Sequence, residues 1–382
     1  MKNFTPLAII LAFLMINSLL NVSFADSRSS SQNISVYGTI TSEEPTTTPD
    51  PTPTTTPSTS PSPEPTTTPT PTPEPTTTPT PTPEPTTQRI MLGAWGGETA
   101  IQPLEATNWI NSWQTNTGKG LAWYAIMSNF GSSSNPQPMT YIDDYKTLVQ
   151  QGIFKGLMYT WQPSSDWNWD RPSGTVTSQI ASGVYDTYIR QEAIRCKNAD
   201  YPIIIRFGHE MNGDWAGWGV NPTTFKQAWI KVVSIFHEEN VNNVKFFWCA
   251  NYADTGGRVF QDYYPGDEYV DYVGIDIYAN SDWNWWWDPE VQIGNQFGNV
   301  YDTYSNKPFI IGEWGCTGTI SDAQNVEFVN GMFDAIEKRS RIVGLFHWHG
   351  EDWKVDLYPQ AFQAFKNRIS NNLYTVNLLG WY

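Results

Sequence analysis

The sequence predicts an α/β fold, a closed (β/α)8 TIM barrel, preceded by a signal peptide and a disordered Thr/Pro-rich linker. Three observations predict the barrel: eight short apolar runs spread over residues 89–382, helical periodicity between several of them, and aromatic or polar residues closing most of the runs. An open doubly wound sheet is the alternative, but no Gly-rich phosphate loop follows the first run.

The first 88 of the 382 residues offer nothing that could form a core. Lys2 precedes an apolar run from Leu7 to Leu20, and Ser23-Phe24-Ala25 then places small residues where a signal peptidase reads. Residues 1–25 therefore read as a signal peptide, and the mature protein is expected to be secreted to the extracellular space. An uncleaved membrane anchor is the alternative; the run is interrupted by Asn17 and Ser18 and is short for a span of about 20 residues. Residues 26–88 read as a linker, because from Pro45 to Gln88 the chain is almost entirely Thr, Pro and Glu, with TPTPEPTTTP repeated. Proline favours the extended polyproline II helix, and Thr-rich stretches with Pro attract O-glycosylation outside the cell. Residues 89–382 suffice for one large domain with a single core, the expected catalytic barrel.

The candidate strands are Ile90 to Trp95, Leu121 to Ile126, Gly156 to Trp161, Ile203 to Phe207, Val244 to Trp248, Tyr272 to Tyr278, Phe309 to Gly312 and Val343 to Trp348. Apolar positions three and four residues apart mark helices from Thr223 to Glu239 and from Asp322 to Lys338. The formal net charge of −16 argues against nucleic acid or anionic lipid as partners, since phosphate binding needs clustered Lys and Arg. Cys196, Cys249 and Cys316 lack metal-ligand spacing and allow at most one intrachain disulfide. The four histidines, His209, His237, His347 and His349, are too few and too scattered for a metal site, and His347 and His349 are read as pointing apart. No metal and no cofactor is expected, and the protein is expected to be a monomer free of any membrane after cleavage.

In a parallel barrel the reactive groups sit at the C-terminal ends of the strands. Those positions hold Trp95, Trp161, His209 with Glu210, Trp248 with Asn251, Asp276 with Tyr278, Glu313 with Trp314, and Trp348. Barrel closure needs none of these residue types. Hydrolysis of a β-glycoside with retention needs one carboxylic acid and one carboxylate about 5 to 5.5 Å apart. Glu210 and Glu313 end the fourth and seventh runs, so Glu210 is the candidate acid/base and Glu313 the candidate nucleophile. A structural ion pair, for example Arg206 with Glu313, is the bland alternative. His209 reads either as a neutral core residue or as a hydrogen-bonding partner that tunes a carboxyl group.

The segment His209-Glu210-Met211-Asn212-Gly213-Asp214-Trp215, with Arg206 before it, resembles glycoside hydrolase family 26. Asp276-Ile277-Tyr278 and Gly312-Glu313-Trp314-Gly315 resemble that family's sixth and seventh strands, and Trp348 stands for the aromatic residue of the eighth. The resemblance covers nearly all of residues 89–382. It implies a retaining endo-hydrolase of plant β-glycans: Glu210 as acid/base, Glu313 as nucleophile, and Asp276 and Tyr278 orienting it. The family acts mostly on β-1,4-mannan, with smaller groups acting on β-1,3-1,4-glucan or β-1,3-xylan. One departure bears on substrate: many of its mannanases carry a His after the third strand's Trp, whereas Trp161 is followed by Gln162.

Arg206, His209, Trp215, Trp218, Asp276, Tyr278, Trp161, Gln162 and Trp348 are thus the candidate substrate-binding residues. Nineteen tryptophans cluster as Trp167 with Trp169, Trp215 with Trp218, and Trp283 with Trp285 to Trp287. Indole faces stack on sugar rings, although any single Trp more often fills a core. The loop from Asp282 to Asp288 is expected to line the cleft. The expected partner is a β-linked polysaccharide or oligosaccharide, mannan first and mixed-linkage glucan second. A glycan-binding protein without chemistry, or a structural wall protein, are the other classes; neither needs two opposed acids.

Overall fold

A computed structural model describes residues 89–279 and 300–378 of the protein, without 170 and 172. The expected signal peptide, the linker and the loop from Asp282 to Asp288 lie outside the described residues.

Eight strands close into a ring: β1 (Ile90–Trp95), β2 (Trp123–Asn129), β3 (Gly156–Gln162), β4 (Ile203–Phe207), β5 (Val244–Asn251), β6 (Tyr272–Tyr278), β7 (Phe309–Gly315) and β8 (Ile342–Trp348). Each pairs in parallel with the next, and β8 returns to β1 from Met91↔Gly344 to Trp95↔Trp348. The fold is therefore the (β/α)8 barrel. A short strand, Tyr374–Thr375, pairs with the start of β1. Strand β2 starts two residues later than expected, at Trp123, and runs on to Asn129. Strands β5 and β7 also run three residues past their expected ends, so polar and aromatic residues at their tips belong to the sheet.

Alternation along each strand makes two cores. Met91, Trp123, Met158, Ile204, Phe247 and Phe346 fill the barrel interior. The intervening residues, such as Leu92, Tyr124, Trp161, Ile205 and Trp248, face the helices in a second, larger cluster. These helices are α1 (Pro103–Thr117), α2 (Asp186–Ala199), α3 (Pro222–Glu238), α4 (Asp322–Glu337) and α5 (Pro359–Ile369), with shorter helical turns between. Helix α3 starts where Asn221 accepts from the Thr224 amide at 3.0 Å and Pro222 fits the first turn. It buries Phe225, Ala228, Trp229, Val232, Val233 and Phe236, the recurrence read from the sequence. Helix α4 opens with a capping box, Ser321 with Gln324.

Residues two apart share a strand face, and so His347 and His349 do not point apart: their ring centroids lie 5.7 Å from each other on the helix side of β8. All three cysteines are free and buried. Among the described residues no helix is long and apolar enough to cross a membrane, and no group of His, Cys, Asp and Glu could hold a metal ion.

Candidate active site

Two irregularities aim the carboxyl groups. The first is in β7, where Ile275↔Ile311 is followed by Asp276↔Glu313, so Gly312 is an extra residue against β6. Ile310 faces the barrel interior and Ile311 the helices, and a Cβ on Gly312 would meet the interior groups Asp276 Oδ1 and Cys249 Sγ, both at 2.7 Å. Strict alternation would then send Glu313 outward; the bulge at Gly312 re-aims it over the barrel axis. The second is the turn after β4, where Gly208 has φ +51° and Glu210 φ +52°. A left-handed glutamate costs conformational energy, and strain of this kind collects at functional sites. The Glu210 amide donates to Cys249 O at 2.9 Å, which fastens the turn to β5.

The two carboxyl groups stand in different surroundings. Glu313 Oε1 accepts from Arg206 Nη1 at 2.6 Å and Oε2 from the Tyr278 hydroxyl at 2.5 Å. Arg206 also pairs with Asp276 through Nη2 and touches Thr160 Oγ1 at 3.3 Å. Glu210 Oε2 accepts from Trp215 Nε1 at 2.9 Å. Burial, with the charge of Glu313 beside it, pushes the Glu210 carboxyl up to about 7, against the opposing pull of Arg206 and Trp215. The His209 ring is held well below its ordinary pKa by burial and then by Arg206, so it is neutral.

The cleft over these groups encloses about 970 Å³. Of the sequence candidates, His209, Glu210, Trp215, Tyr278, Glu313 and Trp348 line it; Trp95, which stacks on Trp348 at 3.8 Å, lines it as well. Arg206 and Asp276, both sequence candidates, are fully buried, and Arg206 pairs with both Asp276 and Glu313. Three further candidates are not part of the cleft lining. Trp161 points to the helix side, stacked on Phe130 at 4.0 Å with no exposed surface. Gln162 is equally buried and donates to Met127 Sδ at 3.1 Å. Trp218 lies one layer down, its Nε1 on His209 O at 2.8 Å and its ring against Trp169.

Trp167 and Trp169, one of the tryptophan clusters, line the cleft, which also contains residues to which sequence reasoning gave no role there: Tyr252, Trp353, Glu98, Met127 and Arg171. Tyr252 directly follows Asn251 at the tip of β5, and position in the chain was the available signal. Trp353 packs on Tyr278 at 4.6 Å from a turn beyond β8, and nothing local in the sequence marks that contact. Arg171 donates to Trp215 O and lies over the Trp169 ring at 5.8 Å.

A parallel barrel whose C-terminal mouth holds two carboxyl groups in unlike settings, inside an aromatic cleft, has the architecture of the barrel glycoside hydrolases. Within that class, residues 141–313, which include both glutamates, match the family model "Glycosyl hydrolase family 26", so the resemblance read from the sequence holds. Endoglucanase H of Acetivibrio thermocellus is 28% identical over 298 residues, 73% of this chain and 30% of its own length. A mannan endo-1,4-beta-mannosidase of Bacillus subtilis strain 168 is 30% identical over 261 residues, 63% of this chain and 60% of its own. The chain thus spans less than two thirds of the relatives it matches. A β-mannanase structure from Bacteroides ovatus superposes with a TM-score of 0.57 at 15% identity, covering 77% of this chain and 94% of that one, a likeness of fold.

Proposed function

We propose that the protein is a retaining endo-β-glycanase that cleaves β-1,4-mannan by double displacement. The observation that carries this reading is the contrast between the two carboxyl groups. Glu313, hydrogen-bonded on its two oxygens by Arg206 and Tyr278, attacks the anomeric carbon; Glu210, with its pKa near 7, protonates the departing glycosidic oxygen. A covalent glycosyl-enzyme forms at Glu313. Glu210, now ionised, takes a proton from water, which attacks the same carbon and frees Glu313 with net retention. Neutral His209 and the Trp169 and Trp218 rings beside it support the turn that carries Glu210. Trp348, Trp95 and Trp215 offer faces to the sugars.

Mannan stands first because curated relatives named mannan endo-1,4-beta-mannosidase recur among the matches. Mixed-linkage glucan is the second reading, favoured by the Endoglucanase H match, which spans more of this chain than either bacillus mannanase match. The same reading makes residues 1–25 a cleaved signal peptide, residues 26–88 a stiff linker, and the mature protein a secreted monomer.

The test is reducing-end release by the full chain on glucomannan, galactomannan, barley β-glucan, lichenan and β-1,3-xylan, beside Glu313→Gln. Mannan cleavage that the substitution abolishes supports the proposal, and proton NMR of the first-formed anomer checks retention. Cleavage of barley glucan and lichenan alone selects the second reading. Binding without cleavage of any of them leaves a glycan-binding protein and overturns the hydrolase.

A further inference from the structure

Cys249 lies in the barrel interior on β5, fully buried, one layer beneath the carboxyl groups. Its thiol donates to Asp276 Oδ1 at 3.1 Å. Asp276 accepts from Arg206 on its other oxygen, and Arg206 in turn donates to Glu313. A continuous chain thus runs from thiol to carboxylate to guanidinium to the nucleophile. The bulge residue is compatible with this contact only as glycine, since a Cβ on Gly312 would stand 2.7 Å from both Cys249 Sγ and Asp276 Oδ1. The geometry that re-aims Glu313 and the room for the thiol contact therefore depend on one residue.

We propose that Cys249 is a positioning residue of the reaction: its thiol holds the Asp276 carboxylate against Arg206, and through Arg206 it fixes the orientation of Glu313. Burial, followed by the charge of Asp276, raises the Cys249 thiol well above its ordinary pKa, so the group stays protonated and is a donor. Burial likewise drives Asp276 towards its neutral form. Arg206 on β4 and the Cys249 thiol on β5 oppose this, while Glu210 after β4 and Glu313 on β7 add to it. A neutral Asp276 would release its grip on Arg206 and leave the nucleophile held by half of its present clamp.

The inference rests on the proposed hydrolase reading, and the experiment separates the two. Cys249→Val, which lacks a donor, and Cys249→Ser, which keeps one, are compared with the wild type on the glycan that the wild type cleaves. For the valine variant kcat is expected to fall about tenfold with KM within about twofold, the effect of one lost buried donor. The acid limb of kcat should move to higher pH, because Asp276 without the thiol takes up its proton sooner. Serine should restore the acid limb towards its wild-type position. A valine variant with wild-type kcat and an unmoved acid limb overturns the proposal, as does a serine variant that loses as much as valine with no shift. The infrared S–H stretch of the unsubstituted protein gives a reading that needs neither activity nor folding of a variant. A thiol donating to a carboxylate absorbs at lower frequency than one that does not, and the absence of such a band would refute the contact, whatever the enzyme assay shows.

Discussion

The indole Nε1 of Trp215 donates to Glu210 Oε2 at 2.9 Å, from five residues further along the same loop. The loop that presents an aromatic face to the cleft therefore also sets the proton affinity of the acid. That bond stabilises the ionised carboxyl, so it lowers a pKa which burial and Glu313 raise.

Trp215→Phe keeps an aromatic ring and removes the donor. Glu210 should then ionise at higher pH. Because the first step needs Glu210 protonated, the alkaline limb of kcat/KM, expected near pH 7 in the wild type, should move upward. A pH–rate profile of both proteins on one substrate is sufficient; a limb that stays in place would show that Glu210 does not set it.

Leaving-group dependence isolates the acid. Glu210→Ala should reduce cleavage of the polysaccharide by about a thousandfold or more, and that of an aryl glycoside with an activated leaving group far less, since the latter departs without a proton. Equal losses on both would remove Glu210 from the role.

The raised Glu210 pKa is also a statement about stability. An unfolded glutamate ionises near the ordinary value of 4.5, whereas the folded one does so at about 7. Between these values the unfolded chain sheds its proton first, so the folded state loses stability as pH rises, and the cost is fully present above the folded pKa. Glu210→Gln has no proton to lose. Its stability relative to wild type should grow by about 1–3 kcal/mol from pH 4 to pH 8, measured by urea unfolding. A difference independent of pH would contradict the burial of a charged Glu210.

The barrel was legible because strands buried on both faces read as continuous apolar runs, such as Ile203-Ile204-Ile205, with helical periods between them. That Glu210 and Glu313 meet in one cleft was legible because strand ends gather at one mouth. What strand ends do not disclose is the side to which a residue points. Trp161 and Trp348 are both aromatic residues that close apolar runs, yet Trp161 faces the helices and Trp348 the cleft. Glu313 itself would have been assigned outward by counting from Ile310; only the bulge, a property of the pairing with β6, turns it inward. Likewise Trp353 reaches Tyr278 through a turn whose path no local pattern encodes.

Trp167 is the aromatic residue on which binding and stability separate most cleanly. It lines the cleft and is 64% exposed. A large exposed indole at the rim of a cleft serves packing poorly and a sugar ring well. Trp167→Ala should leave the thermal midpoint within about a degree, because a surface truncation away from the core changes stability by roughly 0.5 kcal/mol or less. KM for a long glycan should rise several-fold, while kcat, set at the two carboxyl groups, stays put. On a short oligosaccharide that does not reach Trp167 both constants should be those of the wild type. A fall in kcat with unchanged KM on the long glycan would instead place Trp167 in transition-state binding, and an unchanged KM with unchanged kcat would leave the indole outside the path of the chain.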